Sequence, residues 1–352
     1  MMWSTIVTIT LFGFGFNYFL NYRDWLDWEK DLVLSINPGS CKTIIKDGGS
    51  EDVTHIGNGI VLMSTGFEFF GPPGQIKAVD LNNGNKVMTL NMSNVPSRTD
   101  FLSAPHGITT WRDPDTDQLF LYVICHPKPE DRIEVFEVLK PLTLKYIRTI
   151  TDPKFDFMND MVAVGRDKFY ITKFARFREY NRYNLEMFSG MKFGGIFYYD
   201  GHKAREVASG YYMPNGINIS PDKKVVYVAE WGTKTLRGFR RDSSNNLAEI
   251  WSTYTGTGID NIEVDPDTGD LWIGSHPITW KIIDPFFGSL PPGQVVRVKM
   301  QDNAVSEIEI IYQDDGTNCA GSTAATYAAG KMIVGTVREQ TVVCDVKYLT
   351  PN

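Results

Sequence analysis

The sequence predicts an all-β fold, a six-bladed β-propeller, on three observations. After residue 40 helical periodicity is scarce, and short apolar or alternating runs separated by Gly, Asp, Asn and Pro are typical of strands. A small polar pair followed by a β-forming residue recurs at intervals of 45 to 61 residues, and a second apolar run follows most of these pairs. Six units of roughly 50 residues, each with several strands, indicate a propeller, because a solenoid has shorter repeats and a TIM barrel has eight helical segments.

An uncharged apolar run near the start of the chain predicts a hydrophobic N-terminal helix. The run extends from Ile6 to Leu20, 15 residues, which suits a signal-peptide core better than a membrane span of about 20 residues. No Lys or Arg precedes it and no small-x-small cleavage site follows it, which favours an uncleaved signal-anchor over a removed signal. We therefore expect a protein of the secretory pathway, secreted or anchored with its propeller on the lumenal or extracellular side. The predicted parts are the signal-anchor at 1–22, a connecting segment at 23–40, the propeller at 41–346 and a C-terminal tail at 347–352.

Four cysteines bear on the compartment and on how the fold closes. Cys41 and Cys344 lie near the two ends of the predicted propeller, and in an oxidising compartment such a pair could link them. Closing so long a loop contributes roughly 5 kcal/mol in the chain-entropy model. The alternative is that all four, Cys125 and Cys319 included, are buried free thiols of a cytosolic protein. Sequons for N-glycosylation begin at Asn91 and Asn218.

The formal net charge of −7 argues against nucleic acid and anionic lipid as partners. Nucleic acids and anionic lipids attract proteins with a surplus of Lys and Arg, and this chain has a deficit. A mildly acidic balance is compatible with cation binding, although it is also common among folded soluble proteins.

The repeated polar pairs predict residues that meet on the propeller axis. The first strand of each blade lines the central channel, so residues at the same place in each repeat converge there. A single pair of this kind is commonly a turn, but recurrence with Asn, Asp and His favours the channel. The triplets are Asn58-Gly59-Ile60, His106-Gly107-Ile108, Asn159-Asp160-Met161, Asn215-Gly216-Ile217, Asp260-Asn261-Ile262 and Gly321-Ser322-Thr323. The apolar runs predicted as the next strands are Leu119–Ile124, Phe169–Thr172, Val225–Ala229, Leu271–Gly274 and Met332–Thr336.

The residue types on this axis are typical of a calcium site. Calcium takes six to eight oxygen ligands from carboxylates, amides and backbone carbonyls. The axis offers such oxygens, and no Cys-x-x-Cys motif or closely spaced histidine pair indicates zinc. The candidate ligands are Asn159, Asp160, Asn215, Asp260 and Asn261, with Glu51 and Asp52 reaching inward from the entry to the first repeat.

Two of the five histidines could form an acid–base pair. His106 occupies a repeat position on a first strand, and His126 ends the next strand of the same unit. Neighbouring antiparallel strands bring such residues within hydrogen-bond reach, so one ring could orient the other. The alternative is a pair of structural histidines whose nitrogens are satisfied by the backbone.

The chain resembles the serum paraoxonase/arylesterase family from about residue 38 to residue 346. The segments that carry the resemblance are Gly49–Asp52, Pro105–Ile108, His126-Pro127, Asn159-Asp160 with Val162–Gly165, Asn215–Asp222 and Val264–Trp272. The resemblance implies a calcium-dependent hydrolase of lactones and aryl esters, with two calcium ions in the propeller tunnel.

The resemblance also implies roles for individual residues. The catalytic calcium would be held by Glu51, Asn159, Asn215, Asp260 and Asn261, and a deeper structural calcium by Asp52, Asp160 and the backbone carbonyl of Ile108. His106 and His126 match the proposed catalytic dyad of the family, while Glu51 is a rival for the role of base. Cys41 and Cys344 match its end-to-end disulfide.

One loop departs from the family pattern. The family commonly has Thr-Asn-Asp-His-Tyr-Phe where residues 172–177 read Thr-Lys-Phe-Ala-Arg-Phe. Because an acid and an imidazole are replaced near the expected site, we expect weaker polar support for catalysis. Two hypotheses follow: a lactonase or arylesterase acting on a small-molecule ester, or a calcium-stabilised propeller that binds a protein partner as a membrane-bound chaperone or assembly factor. The retained ligands and histidines favour the enzyme.

Overall fold

Six β-sheets are arranged around a common axis in the computed structural model, which describes residues 20–30, 34–67, 74–283, 290–337 and 340–347. The chain enters the ring through β1 Cys41–Ile45. The first blade contains β2 Asp52–Gly57, β3 Ile60–Thr65, β4 Gln75–Asp80 and β5 Lys86–Thr89. The second contains β6 Met92–Ser93, β7 Ile108–Arg112, β8 Leu119–Cys125, β9 Arg132–Leu139 and β10 Thr143–Ile150.

The remaining blades repeat the same four-stranded antiparallel plan. The third contains β11 Met158–Gly165, β12 Lys168–Lys173, β13 Gly194–Tyr199 and β14 Ala204–Tyr211. The fourth contains β15 Pro214–Ile219, β16 Val225–Glu230, β17 Thr235–Arg241 and β18 Leu247–Tyr254. The fifth contains β19 Gly258–Val264, β20 Leu271–His276, β21 Gly293–Gln301 and β22 Ala304–Asp314. The sixth contains β23 Ser322–Ala328, β24 Lys331–Thr336 and β25 Thr341–Asp345, completed by β1.

The innermost strands form a closed ring. Each of β2, β7, β11, β15, β19 and β23 contacts the next, and β23 contacts β2. The ring is closed by pairing between the ends of the chain, since β1 lies antiparallel to β25 with Cys41 opposite Cys344. A disulfide joins these two cysteines, and Cys125 and Cys319 are buried free thiols. The six-bladed propeller and its end-to-end disulfide are thereby confirmed.

The hydrophobic core lies between neighbouring blades. All residues of β8, β16 and β20 are buried, because each middle strand is covered on both faces, and such strands have continuous apolar sequences. Aromatic rings fill the space between the second and third blades, where Phe120, Tyr122 and Phe155 pack with Phe169 and Tyr199. The five apolar runs predicted as strands correspond to β8, β12, β16, β20 and β24.

The first and last triplets of the predicted repeat were placed out of register. Asn58 and Gly59 form the turn between β2 and β3, with φ values of 53° and 69°, and a turn that requires two positive φ angles favours Asn-Gly. The true counterpart in the first blade is the pair Glu51-Asp52 at the start of β2. In the last blade, Gly321 precedes the strand, and β23 begins at Ser322.

Within the described ranges, three helices lie outside the sheets. Residues 20–25 are helical (α1), α2 is Tyr180–Ser189, and α3 is Thr279–Ile283; a 3₁₀ turn covers Trp231–Thr233. Helix α2 ends in a left-handed cap at Gly190. The predicted anchor falls almost entirely on residues 1–19 and the predicted tail on 348–352, which lie outside the described residues. In the ranges given above, no helix is long and apolar enough to cross a membrane.

Candidate functional site

Irregular pairing at the start of the inner strands exposes polar pairs to the axis. The register of β11 with β12 jumps from Met158 opposite Lys173 to Met161 opposite Ile171, which leaves Asn159 and Asp160 outside the regular ladder. The same interruption encloses the equivalent pairs of β15 and β19. Such bulges redirect side chains and are frequent next to functional sites.

Hydrogen bonds between blades that are not neighbours show that these residues meet at the centre. The Asn261 amide of the fifth blade donates to the Glu51 backbone carbonyl at 2.9 Å and to Glu51 Oε1 at 3.0 Å, in the first blade. Thr323 of the intervening blade donates to the same carbonyl at 2.6 Å. Glu51 and Asn261 are both buried.

Five buried oxygens at this place lack a hydrogen-bond partner in the described part of the chain. They are Glu51 Oε2, Asn159 Oδ1, Asn215 Oδ1, Asp260 Oδ1 and Asn261 Oδ1, and we call these five residues the oxygen cluster. Leaving a buried polar atom unpaired is costly, so each such atom in a folded protein requires an explanation. Carboxylate and amide oxygens converging from four blades are the donor set that calcium prefers, so the residues fit that ion.

The electrostatics of the cluster also favour a cation. Burial, followed by the charges of Glu51 and Asp52, raises the pKa of Asp260 well above its usual range. A divalent cation among these carboxylates would favour their ionised forms and reverse that shift. Among the described ranges no three His, Cys, Asp or Glu side chains cluster closely enough to hold a metal by themselves. Three of the five oxygens that could coordinate a cation in the cluster therefore come from asparagine side chains.

Asp52 and Asp160 form a second tier and connect blades. Asp52 accepts the Val53 amide at 2.8 Å and the Ile108 amide of the next blade at 2.7 Å. Asp160 repeats the pattern with Met161 at 2.7 Å and with Ile217 of the following blade at 2.8 Å. Burial, then a neighbouring carboxylate, raises the pKa of both groups well above the usual range. A cavity of about 180 Å³ lies beside this tier and is lined by both aspartates, Thr54, Ile108, Asn218 and Glu263, among others.

The predicted histidine pair is brought together beside the cluster. His106 Nδ1 lies 2.8 Å from His126 Nε2, and His106 Nε2 lies 3.2 Å from Glu51 Oε1. The ring of Phe67 lies over His106, with centroids 4.4 Å apart. Both contacts of His106, with His126 and with Glu51, are between side chains. This favours an acid–base pair over structural histidines whose nitrogens bond to the backbone.

Asp131 is a residue of this site that the sequence analysis missed. Its Oδ1 lies 2.7 Å from His126 Nδ1, and its side chain is fully buried. Burial lowers the pKa of His126, although Asp131 opposes that effect. Burial would raise the pKa of Asp131, but His126 and Arg178 outweigh it and hold the value below the usual range. The only signal in the sequence is an acid five residues after His126, in the turn between β8 and β9.

The loop that departs from the family pattern is well supported by other contacts. Glu186 of α2 accepts the backbone amides of Arg176 at 3.0 Å and Phe177 at 3.2 Å. Lys173 pairs with Asp156 at 3.4 Å. Arg178, just beyond the loop, donates to Asp131 Oδ1. The backbone of residues 176–177 and the side chain of Lys173 are therefore held by acids from two other places in the chain, Glu186 and Asp156.

His276 adds a neutral ring beside the cluster residue Asp260. Its Nδ1 accepts the Trp231 indole N–H at 3.0 Å, which leaves the proton on Nε2, 3.7 Å from Asp260 Oδ2. Burial lowers the pKa of His276 to about 3. At neutral pH this ring therefore presents an uncharged N–H toward Asp260.

The two predicted glycosylation residues differ in exposure. Asn91 is exposed. The Asn218 side chain donates to the Ile262 carbonyl at 2.7 Å and accepts the Ile219 amide at 2.8 Å. The side-chain nitrogen of Asn218, the atom to which a glycan would be attached, is thus hydrogen-bonded to the Ile262 carbonyl. Glycosylation at either position stays a prediction.

Comparison with known proteins assigns the family. The model of the Arylesterase family matches residues 33–346. Human serum paraoxonase/arylesterase 1 is 31% identical over 97% of this chain and 100% of its own length, and chicken (Gallus gallus) serum paraoxonase/arylesterase 2 is 34% identical over 85% and 86%. Rabbit (Oryctolagus cuniculus) serum paraoxonase/lactonase 3 is 31% identical over 88% and 89%.

Solved structures with much lower identity share only the fold. A luciferin-regenerating enzyme aligns with a TM-score of 0.56 at 12% identity, covering 88% of this chain and 96% of its own. The PQQ-bound aldose sugar dehydrogenase of Streptomyces coelicolor aligns with a TM-score of 0.52 at 12% identity, covering 88% and 99%. Full-length similarity to the paraoxonases, together with the family match over the whole propeller, shows that this chain belongs to the arylesterase family.

Proposed function

We propose that the protein hydrolyses lactones and aryl esters with the help of calcium bound to the oxygen cluster. The observation that carries the proposal is the set of five unpaired buried oxygens beside the Nε2 atom of His106. Relatives of nearly equal length are named arylesterases and lactonases, and their names agree with a site that combines a cation and a base.

The chemistry divides between the cluster and the histidines. Calcium at the cluster would act as a Lewis acid toward the ester carbonyl. His106 Nε2 takes a proton from the attacking water as the new carbon–oxygen bond forms, and it returns the proton to the leaving alkoxide or phenoxide oxygen when the ester bond breaks. His126 supports His106 through the 2.8 Å contact.

Glu51 fits the role of a ligand better than that of the base. Its Oε1 already accepts the Asn261 amide, and its Oε2 belongs to the oxygen cluster. A carboxylate 3.2 Å from His106 Nε2 instead stabilises the imidazolium that forms during the reaction. We therefore assign proton transfer to His106 and cation binding to Glu51.

A second calcium is proposed at Asp52, Asp160 and the backbone carbonyl of Ile108, with a structural role. In support, both carboxylates are buried beside another negative charge, Glu51 for Asp52 and Asp52 for Asp160, and each connects two blades through backbone amides. A cation there would lower the free energy of a tier in which like charges repel.

The cellular setting is proposed on chemical grounds. A disulfide that closes the ring suits an oxidising compartment, so we place the propeller in the secretory pathway or outside the cell. An N-terminal anchor at 1–22 remains a prediction. A purely non-enzymatic assembly factor would leave the histidine relay beside the oxygen cluster without a use, and we do not adopt it.

The test is hydrolysis of a panel of aliphatic lactones, aromatic lactones and aryl esters by purified protein, before and after chelation and after return of calcium. We expect turnover that is lost with the chelator and restored by calcium. His106→Gln should lower kcat by about 100-fold or more if His106 transfers the proton. No turnover by folded, calcium-loaded protein would refute the proposed function, and full activity of His106→Gln would return the base role to Glu51.

A further inference from the structure

Asp131 connects three parts of the molecule that the proposed reaction needs. Its Oδ1 faces His126 Nδ1 at 2.7 Å. Its Oδ2 accepts the amide of Met158 at 2.8 Å, and Met158 immediately precedes the cluster residue Asn159. Arg178, from the segment that leads into α2, donates to Oδ1. Each contact of this fully buried carboxylate is to a different part of the chain. Asp131 can therefore fix the positions of these three parts relative to one another.

The contact with His126 decides which nitrogen of each ring carries a proton. An ionised carboxylate only accepts hydrogen bonds, so the proton of His126 lies on Nδ1. Nε2 of His126 is then an acceptor, and the facing atom, His106 Nδ1, must donate to it across 2.8 Å. This leaves the lone pair of His106 on Nε2, the atom beside Glu51 and the oxygen cluster.

The opposite tautomers would remove the base. If His126 carried its proton on Nε2, it would donate to His106 Nδ1, and His106 would hold its own proton on Nε2. That N–H would bond to Glu51 Oε1, 3.2 Å away, in a satisfactory hydrogen bond. The two arrangements differ at their ends. The unreactive one gains the hydrogen bond from His106 Nε2 to Glu51 at 3.2 Å, whereas the reactive one gains the shorter bond from His126 Nδ1 to Asp131 at 2.7 Å, so the acceptor beyond His126 is needed to select the reactive one.

Arg178 provides the charge that keeps Asp131 in place. The arginine is partly exposed and contacts the same carboxylate oxygen as His126. Arg178 lies just beyond the loop at 172–177, on the segment that leads into α2. The acid that it contacts comes from the turn after β8, so the contact joins two parts of the chain that are distant in sequence.

We propose that Asp131, held by Arg178, is the positioning residue that sets the base-competent tautomer of the His106–His126 pair in this protein. The proposal rests on the hydrolase function proposed above. Asp131 touches neither the oxygen cluster nor the atoms that react, so its effect on catalysis passes through His126. The contact between Arg178 and Asp131 also ties the segment leading into α2 to the catalytic histidines.

The experiment combines histidine NMR with steady-state kinetics on the full-length, calcium-loaded protein. ¹⁵N-histidine spectra at pH 8 distinguish a protonated from an unprotonated ring nitrogen, with His106→Gln and His126→Gln used for assignment. In the wild type we expect the protons on Nδ1 of both rings, and in Asp131→Asn a shift of the His126 proton to Nε2. The same variant should lose about 100-fold in kcat with KM within about threefold, because substrate binding does not use the relay.

Matched controls separate positioning from general damage. Asp131→Glu retains the acceptor and should recover at least part of kcat. Asp156→Asn alters the other carboxylate near Arg178, 3.6 Å from its Nε, without touching a histidine, and should leave kcat and tautomers unchanged. Arg178→Gln changes a partly exposed side chain and should lower kcat about 10-fold. This variant tests the proposal even if Asp131→Asn does not fold.

The outcomes distinguish this proposal from the proposed function. Wild-type His126 protonated on Nε2 would overturn the positioning role, and so would normal kcat and unchanged tautomers in either Asp131→Asn or Arg178→Gln. Because the spectra need no substrate, a protein with the expected tautomers but no turnover would refute the hydrolase function while leaving the orientation of the histidines established.

Discussion

Single buried residues govern the response of the site to pH. Burial lowers the pKa of His126, and His126 and Arg178 together lower the pKa of Asp131 against the effect of burial. Near neutral pH a neutral imidazole therefore faces an ionised carboxylate. This is the combination that the proposed relay requires, since the carboxylate accepts and the ring donates.

His126 should make the folded state sensitive to mild acid. Its folded pKa is lowered, so below about pH 6.5 the unfolded chain binds a proton that the folded protein does not. Stability should fall as the pH drops from about 6.5, by up to about 1.4 kcal/mol per pH unit for this group. Urea unfolding measured between pH 8 and pH 5 gives the free energy of unfolding at each pH. That free energy should fall less steeply with decreasing pH in His126→Gln than in the wild type. The exposed histidine His202, changed to Gln, should leave the slope unaltered; equal slopes in all three proteins would contradict the assignment.

The residues of the oxygen cluster were accessible from the sequence, whereas Asp131 and Arg178 were not. Cluster residues recur at one position of a repeated unit, and the symmetry of a propeller brings equal positions together. Asp131 contacts His126 because of the conformation of an irregular turn, and Arg178 contacts Asp131 from 47 positions away in the sequence. Neither contact is associated with a periodic pattern of residues.

At the scale of the strands, close approach between blades requires glycine at two places near the axis. Gly107 follows His106 immediately before β7, and Gly216 follows the cluster residue Asn215 in β15. A Cβ on Gly107 would lie 2.6 Å from Asp160 Oδ1 and 2.7 Å from the Asn159 carbonyl, and one on Gly216 would lie 2.4 Å from the Asp260 carbonyl. These contacts are shorter than packed atoms allow, so both glycines are required for the inner strands to meet.

Gly107→Ala should therefore disturb calcium binding as well as stability. The added methyl group must push Asn159 and Asp160 away from the axis, so we expect a loss of roughly 1–3 kcal/mol in the free energy of unfolding and weaker calcium binding. Gly165→Ala is the control, because its nearest neighbour would be a lysine side chain at 3.6 Å. Calorimetry and calcium titration of both variants measure the effect. Equal behaviour of the two alanine variants would show that the inner strands tolerate displacement.

The regular strands were predicted better than the irregular elements. The middle strands are covered on both faces, and their continuous apolar sequences are visible without a structure. The first repeat was shifted because Asn58-Gly59, a turn, resembles the polar pairs of the inner strands. Helix α2 escaped prediction because its exposed face carries Tyr180, Leu185 and Phe188, which weakens helical periodicity.

At the scale of the whole molecule, ring closure is the least local feature. The outermost strand of the last blade comes from the N-terminal side of the chain, and the Cys41–Cys344 disulfide spans 303 residues. Every blade interface depends on this closure, because an open ring would expose the faces of its first and last blades. Prediction of the closure required both the repeat count and the positions of the cysteines.

Loss of the disulfide should destabilise the whole propeller. The variant with Cys41→Ser and Cys344→Ser should lose up to roughly 5 kcal/mol, since the unfolded chain regains the freedom of a very long loop. Thermal unfolding in saturating calcium measures the loss. The wild type treated with reductant should approach the variant, while reductant should have no effect on the variant itself. An unchanged melting temperature would mean that β1 pairing alone closes the ring.

The most direct test of the calcium site is a calorimetric calcium titration of chelator-treated protein. Wild type should bind two ions, and Asn215→Leu, which removes one of the unpaired oxygens, should lose the one assigned to the oxygen cluster together with ester hydrolysis. Asn83→Leu, a change at an exposed asparagine, should bind as the wild type does. Identical calcium isotherms for wild type and Asn215→Leu would contradict the account.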